Sequence, residues 1–254
     1  MKGTATCILY SFLLALLLLT GCSVSEFQPT GGSSTRAIGT GKAREFLGAM
    51  EARALEAEKN ASSSWFPQKY WEEASSSYSE ASWVARSSGQ LQKSLSYAQR
   101  ALEMAEKARD PVLQARAIYR LASIYGALRQ YTQAKEWAEK GLEVAKQTRT
   151  EALEGEFYRL LGLEFLRIGD HQKAIEFLSY SLQIQESWLS LFENVRRSGQ
   201  LSPEAIPLTQ HLVLFSLNYL GSAYRLAGMP ERAIEAYEKC IALIKRSGVK
   251  TNAE

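Results

Sequence analysis

Residues 115–148, ARAIYRLASIYGALRQYTQAKEWAEKGLEVAKQT, carry two helical hydrophobic periods that meet at a polar joint, Arg129-Gln130. Ile118, Leu121, Ala122 and Tyr125 fall on one face, and Ala134, Trp137, Ala138 and Leu142 on a second. Both sets follow the i, i+3, i+4, i+7 rule of a helix with one buried side. Two short amphipathic helices cannot bury such faces alone, so this unit requires neighbours of the same kind.

The neighbours are legible on both sides. Residues 41–59 read as one helix with Phe46, Leu47, Met50, Ala54 and Leu55 on a common face, ended by Asn60 and the serines after it. A second helix starts near Pro67, a favourable first-turn residue, and runs to about Ser88, with Gly89 as the turn. Residues 91–108 form a third, with Leu95, Ala98, Leu102 and Ala105 facing inward. Asp110-Pro111 reads as a cap followed by a first-turn proline, and Thr148-x-x-Glu151 as a capping box. No run of alternating β-branched residues suggests a strand, so the chain is expected to be all-α. Its 254 residues suffice for a substantial core. Thirty basic side chains against 27 acidic ones give a formal charge of +3, without the clustered basic excess of a nucleic-acid binder.

The N-terminus has a different character. Met1-Lys2 is a short positive start, and residues 7–19, CILYSFLLALLLL, form an apolar run of thirteen. That is short for a membrane span, which needs about 20 residues, and suited to a secretion signal. Leu19-Thr20-Gly21-Cys22 follows directly and resembles a bacterial lipobox. The resemblance implies cleavage between Gly21 and Cys22, with a covalent diacylglycerol and an N-acyl lipid on Cys22 as the only non-protein groups. Several buried acyl chains, at about 0.8 kcal/mol per methylene, make a firm anchor. Ser23 rather than aspartate follows the cysteine, which by similarity to sorted lipoproteins implies the outer membrane, facing the periplasm, in a Gram-negative host. Residues 23–40 are rich in Gly, Ser and Thr and read as a flexible tether with a mean span of roughly 25 Å. The expected organisation is therefore 1–21 signal peptide, 22–40 tether, 41–110 N-terminal helices, 111–248 repeats, and 249–254 a frayed tail.

The helical body resembles the tetratricopeptide repeat, a helix–turn–helix of 34 residues with small residues at positions 8, 20 and 27 and large ones between. The copy from Leu214 carries Leu217, Leu220-Gly221, Tyr224, Gly228, Ala233, Tyr237 and Cys240. The copy from Gly155 carries Tyr158, Leu161-Gly162, Phe165, Gly169, Ala174, Leu178 and Ser181. The copy from Ala115 has Ile118, Leu121-Ala122, Tyr125, Ala134, Ala138 and Gly141, with Arg129 in place of the turn glycine. A degenerate copy from Ser75 has Tyr78, Ala81-Ser82, Gly89, Ala98 and Ala101. The starts at 75, 115 and 155 step by 40, which implies longer helices. The step to 214 is 59, and the extra residues continue the helical period through Trp188, Leu191, Phe192 and Val195. An extended helical hairpin is expected around 186–213, with a turn at Arg196-Arg197-Ser198-Gly199 and a new helix from Ser202-Pro203-Glu204. The resemblance implies a right-handed superhelix of about four antiparallel helix pairs, preceded by an extra helix.

Chemistry is harder to find. His171 and His211 have no neighbouring His or Cys, and no phosphate loop or nucleophile elbow occurs. With Cys7 in the signal and Cys22 lipidated, Cys240 is the one free thiol and reads as a packing residue. No metal, catalytic residue, small-molecule substrate or nucleic acid is expected, and the chain reads as a non-enzyme.

Family resemblance places repeat positions 2, 5, 9, 12 and 13 on a concave groove lined by the first helices. Here these include Arg116, Tyr119, Arg159, Leu163, Arg167, Phe215, Asn218 and Arg225, a mix of arginine and aromatics suited to a protein or peptide partner. The Lys/Asn clamp used by some relatives for free C-termini is absent: its positions hold Tyr119, Ser123, Leu160, Phe215 and Tyr219. The expected role is a membrane-anchored envelope adaptor or scaffold, in assembly of an envelope, secretion or pilus complex. Its layout is similar to that of pilus pilotins and of lipoproteins that dock peptidoglycan enzymes. The alternatives are a non-catalytic regulatory subunit of a separately encoded hydrolase or protease, and a self-assembling structural lipoprotein.

Overall fold

A computed structural model describes residues 40–197 and 205–247. The signal peptide, the Gly21–Cys22 junction, most of the tether, the turn after Arg197 and the tail at 249–254 lie outside these residues. The described residues form nine α-helices and no strand: α1 Thr40–Ser63, α2 Gln68–Ser87, α3 Leu91–Ala108, α4 Pro111–Ala127, α5 Tyr131–Gln147, α6 Glu151–Ile168, α7 His171–Arg197, α8 Ala205–Leu226 and α9 Pro230–Ser247. None of them is long and apolar enough to cross a membrane. The all-α expectation holds.

The helix ends share one device. Residues with positive φ stand at 89, 109, 129, 149 and 169, an interval of 20, and again at 228. At each, the amide of the following residue donates to a carbonyl five residues back: Gln90 to Ala85, Asp110 to Ala105, Gln130 to Tyr125, Thr150 to Ala145, Asp170 to Phe165 and Met229 to Tyr224. This left-handed closure satisfies carbonyls that a helix end leaves open. The 40-residue repeat step is thus two 20-residue helix steps. Asp110 caps α4 as expected, its Oδ1 accepting from the amides of Val112 at 2.8 Å and Leu113 at 3.1 Å. Thr148 does not form the expected capping box. Its hydroxyl donates to the carbonyls of Val144 and Ala145, closing the end of α5 instead of opening α6. In α1 the helix runs on through Asn60 to Ser63. Its buried stripe is Ala43, Leu47, Ala54, Ala57 and Ala61, while Phe46 and Leu55 are largely exposed. Small residues let this helix lie close to its neighbour, which rotates the two bulky ones outward.

Backbone proximity divides the chain into two units, and each is described by itself. The N-terminal unit ends at Leu153 and the C-terminal unit begins at Glu154, within α6. In the N-terminal unit, α1 packs on α2, α2 on α3, α3 on α4 and α4 on α5, with a further α2–α4 contact. Its core joins Leu47, Tyr78, Val84, Tyr97 and Met104 across a floor of alanines. Serine hydroxyls fasten α2 to α3. Ser82 donates to the Ser94 carbonyl at 3.0 Å, Ser94 to the Ser82 carbonyl at 2.7 Å, and Ser75 to the Ala101 carbonyl at 2.8 Å.

In the C-terminal unit α6, α7, α8 and α9 pair through glycine. A Cβ on Gly162 would lie 2.5 Å from Leu178 Cγ, and one on Gly221 would lie 2.7 Å from the Tyr237 ring. The helices of α6–α7 and α8–α9 therefore approach too closely for any side chain there. A buried triad links α7 to α8: Ser216 donates to Gln185 Oε1 at 2.7 Å and Gln185 Nε2 to Ser181 Oγ at 3.0 Å. The 27-residue α7 and 22-residue α8 exceed the 17–18 residues of α3–α6, where the sequence carries its extra length. Leu189 and Phe192 are buried, and Glu193 pairs with Arg246 of α9 at 2.5 Å. Cys240 is half-buried, its thiol facing the Leu214 carbonyl at 3.5 Å.

Candidate partner-binding faces

Tetratricopeptide-type pairing leaves one face of each first helix uncovered by its own second helix. The eight groove positions fall on three such helices: Arg116 and Tyr119 on α4; Arg159, Leu163 and Arg167 on α6; Phe215, Asn218 and Arg225 on α8. They differ sharply in accessibility.

On α8 the face is open. Phe215 is 46% exposed, and Asn218 and Arg225 are also exposed. Turns of one helix bring His211, Phe215 and Tyr219 into a ladder, with ring centroids 5.4 Å and 6.5 Å apart. An apolar helix residue left on the surface at nearly half exposure, edge-on to His211 and stacked on Tyr219, presents an aromatic strip at little entropic cost. Repeat phase marks Phe215 but not His211, which lies before the first position of its copy.

On α6 the face is tighter and internally paired. Leu163 is buried, and Arg159 donates to Glu156 Oε2 at 2.5 Å. Arg167 pairs with Glu164, which is 1% exposed. Burial raises the Glu164 pKa, against the opposing pull of Arg167. Phe165 and Phe177 stack face to face at 5.3 Å behind this row.

On α4 the arginines are sunk. Arg116 is 5% exposed and Arg120, one helical turn on, is 7% exposed. Burial pushes the Arg120 guanidinium down to about 10, with Arg116 and Arg86 adding to the fall and Tyr119 and Glu80 opposing it. Burial likewise lowers Arg116, against Glu80 and Asp110. At about 10, the Arg120 guanidinium remains charged at neutral pH. Arg86 and Glu80 belong to α2, which packs on α4 within the N-terminal unit. Arg120 occupies position 6 of its repeat, which is not a groove position, so the sequence pattern does not mark it.

Among the described residues, no three His, Cys, Asp or Glu side chains converge as a metal site would require.

Comparison with known proteins agrees with this architecture. Two tetratricopeptide-repeat family models match, one over residues 113–187 and one over 216–246, so the chain carries these repeats in both units. The apo form of RapI is similar in structure, with a TM-score of 0.61 at 18% identity over 84% of this chain and 69% of that one. A putative kinesin light chain from Podosopora anserina, with nearly identical TPR-like repeats, gives 0.53 at 18% identity, over 83% and 94%. BtubC from P. vanneervenii gives 0.50 at 15% identity, over 84% and 95%. At these identities the likeness concerns the fold. No curated protein matches the chain.

Proposed function

We propose that this chain is a lipid-anchored adaptor that holds a protein or peptide partner against the first-helix faces of its repeats. The observation that carries the reading is the α8 face, where Phe215, Asn218 and Arg225 stand exposed beside the His211–Phe215–Tyr219 ladder. Aromatic and arginine side chains on a rigid helix are the usual anchors of protein recognition. The envelope location rests on the apolar run before Leu19-Thr20-Gly21-Cys22. Membrane anchoring through Cys22 would hold the repeats near the bilayer, raising the effective concentration of any partner confined there.

The test is a photo-crosslinking amino acid at Phe215, with a second at Glu238 on α9 as the off-face control, followed by identification of the captured proteins. Capture of the same protein from Phe215 alone supports the adaptor, and the partner's nature then decides its pathway. A hydrolase whose activity changes on adding the chain would instead make this a regulatory subunit, and capture of only the chain itself a self-assembling lipoprotein. The anchor is tested separately. Labelled fatty acid should enter the native chain and not Cys22→Ala; equal labelling of both would remove the lipobox from the reading.

A further inference from the structure

We infer that Arg120, together with Arg86 across the α2–α4 contact, forms a seat for a carboxylate of an acidic partner segment. The inference rests on the adaptor reading and gives the partner a chemistry.

Arg120 makes no side-chain hydrogen bond and no ion pair among the described residues, yet it is only 7% exposed. A buried guanidinium without a bonded counter-charge is a costly arrangement, since the charge loses its water and gains nothing in exchange. Proteins ordinarily avoid it by pairing the group or by exposing it. Here neither is done. The surroundings deepen the problem: Arg116 lies one turn away on the same helix, and Arg86 stands in the last turn of α2, the helix packed on α4, where its charge also disfavours that of Arg120. Arg86 is exposed and also makes no ion pair among the described residues. Tyr119, next to it in sequence, and Glu80 of α2 favour the charge of Arg120, and Glu80 is not hydrogen-bonded to it.

The site is also reachable. Polar atoms that are fully sealed and lack a hydrogen bond include Ser88 Oγ and Glu164 Oε2, but no nitrogen of Arg120. Its guanidinium therefore keeps an edge open to solvent while its stem is covered. That edge offers parallel N–H donors matched to a planar carboxylate, in a setting dry enough to strengthen the bond. The exposed Arg86 supplies the outer half of the seat and a steering charge. The seat is distinct from the Lys/Asn clamp that this chain lacks, because it is built on α2 and α4 from Arg86 and Arg120.

The experiment uses the full chain and a fluorescent hexaglutamate peptide, with hexalysine as the sign control and inorganic phosphate as competitor. Saturable hexaglutamate binding, about tenfold or more weaker in Arg120→Gln and about threefold weaker in Arg86→Gln, is the expected result. Arg246→Gln, which removes a surface cation from the other unit, should leave it unchanged. Hexaglutamate should raise the melting temperature of the native chain and not that of Arg120→Gln. Should Arg120→Gln fail to fold, Arg86→Gln still decides the matter, because its side chain is exposed. Equal loss in Arg246→Gln, or absence of saturable binding, overturns the seat. Displacement by phosphate at concentrations below those of a monocarboxylate such as acetate overturns the carboxylate assignment. The two readings fail separately: a partner crosslinked from Phe215 and held equally by native chain and Arg120→Gln keeps the adaptor and removes the seat.

Discussion

The two units solve one packing problem in different ways. In both, a first and second helix must approach closely enough to bury alternating small and large residues. The N-terminal unit does so with alanine and serine. Ala122 occupies the small position of α4, and Ser82 that of α2, where its hydroxyl bonds across to Ser94. The C-terminal unit uses Gly162 and Gly221, against Leu178 and Tyr237. Helix ends follow the same division. The left-handed joints of the N-terminal unit are Gly89, Arg109, Arg129 and Arg149, while those of the C-terminal unit are Gly169 and Gly228. An arginine in that conformation costs about 1–2 kcal/mol. The N-terminal unit thus tolerates backbone strain and gains polar cross-bonds. The C-terminal unit is relaxed at its joints and intolerant of any added atom at its helix crossings. The lesson is that one repeat pattern accepts two chemistries of close approach, provided the distance between helix axes adjusts.

The largest effect should come from the small-residue rule that both units obey. Ala134 is fully buried at the close contact of α5, so Ala134→Arg would place a charge where no space exists. We expect a loss of about 4 kcal/mol or more, seen as a collapsed or shifted thermal transition by circular dichroism. An unchanged melting curve would refute the repeat phasing. Next, Gly162→Ala and Gly221→Ala should each cost about 1–3 kcal/mol by overpacking, measured by urea unfolding. If either is neutral, the C-terminal crossings are looser than the distances to Leu178 and Tyr237 indicate.

Alkaline pH should act on the N-terminal unit. Burial first, and then the hydrogen bond to Glu58, raises Tyr78 to about 12; burial and Glu51 do the same for Tyr97. A raised folded pKa means that the unfolded chain loses these protons first. The stabilisation is fully present below about pH 10 and is lost as pH climbs toward about 12. Stability measured across that window should fall less steeply in Tyr78→Phe than in the native chain; parallel curves would count against it.

Smaller changes separate the two chemistries. Ser82→Ala removes the bond that Ser82 donates and leaves Ser94 with one partner fewer at its hydroxyl, which should cost about 1 kcal/mol. No cost would mean that the serines act only by being small. Arg129→Gly should relieve the left-handed strain and, after the entropy glycine adds to the unfolded chain, gain about 0.5–1 kcal/mol. A destabilised Arg129→Gly would show that the arginine side chain contributes more than its backbone costs.

Much of this molecule is legible in residue types and spacing. Apolar periodicity locates the helices of the described residues to within a few positions, because a helix with one buried face must repeat near 3.6. Asp110-Pro111 announces a helix start, since cap and proline act within a single turn. Phe46 and Leu55 mislead, because a stripe of alanines is a weak apolar signal beside two large side chains, yet close packing favours the alanines. Thr148 misleads because its hydroxyl can bond to the helix behind it as well as to the one ahead. Local sequence does not choose between those partners.

The candidate faces divide along the same line. The exposed positions Phe215, Asn218 and Arg225 follow from repeat phase. The seat at Arg120 does not, because whether an arginine is solvated or sunk depends on what lies across from it on another helix. Helix content, the repeat phase and the lipobox expectation are written in the residues themselves, since each depends on neighbours within a few turns of chain. Which joints are strained, which crossings admit no Cβ and which arginines lose their water emerge only on folding. Each of these is set by atoms distant in sequence and brought within a few ångströms.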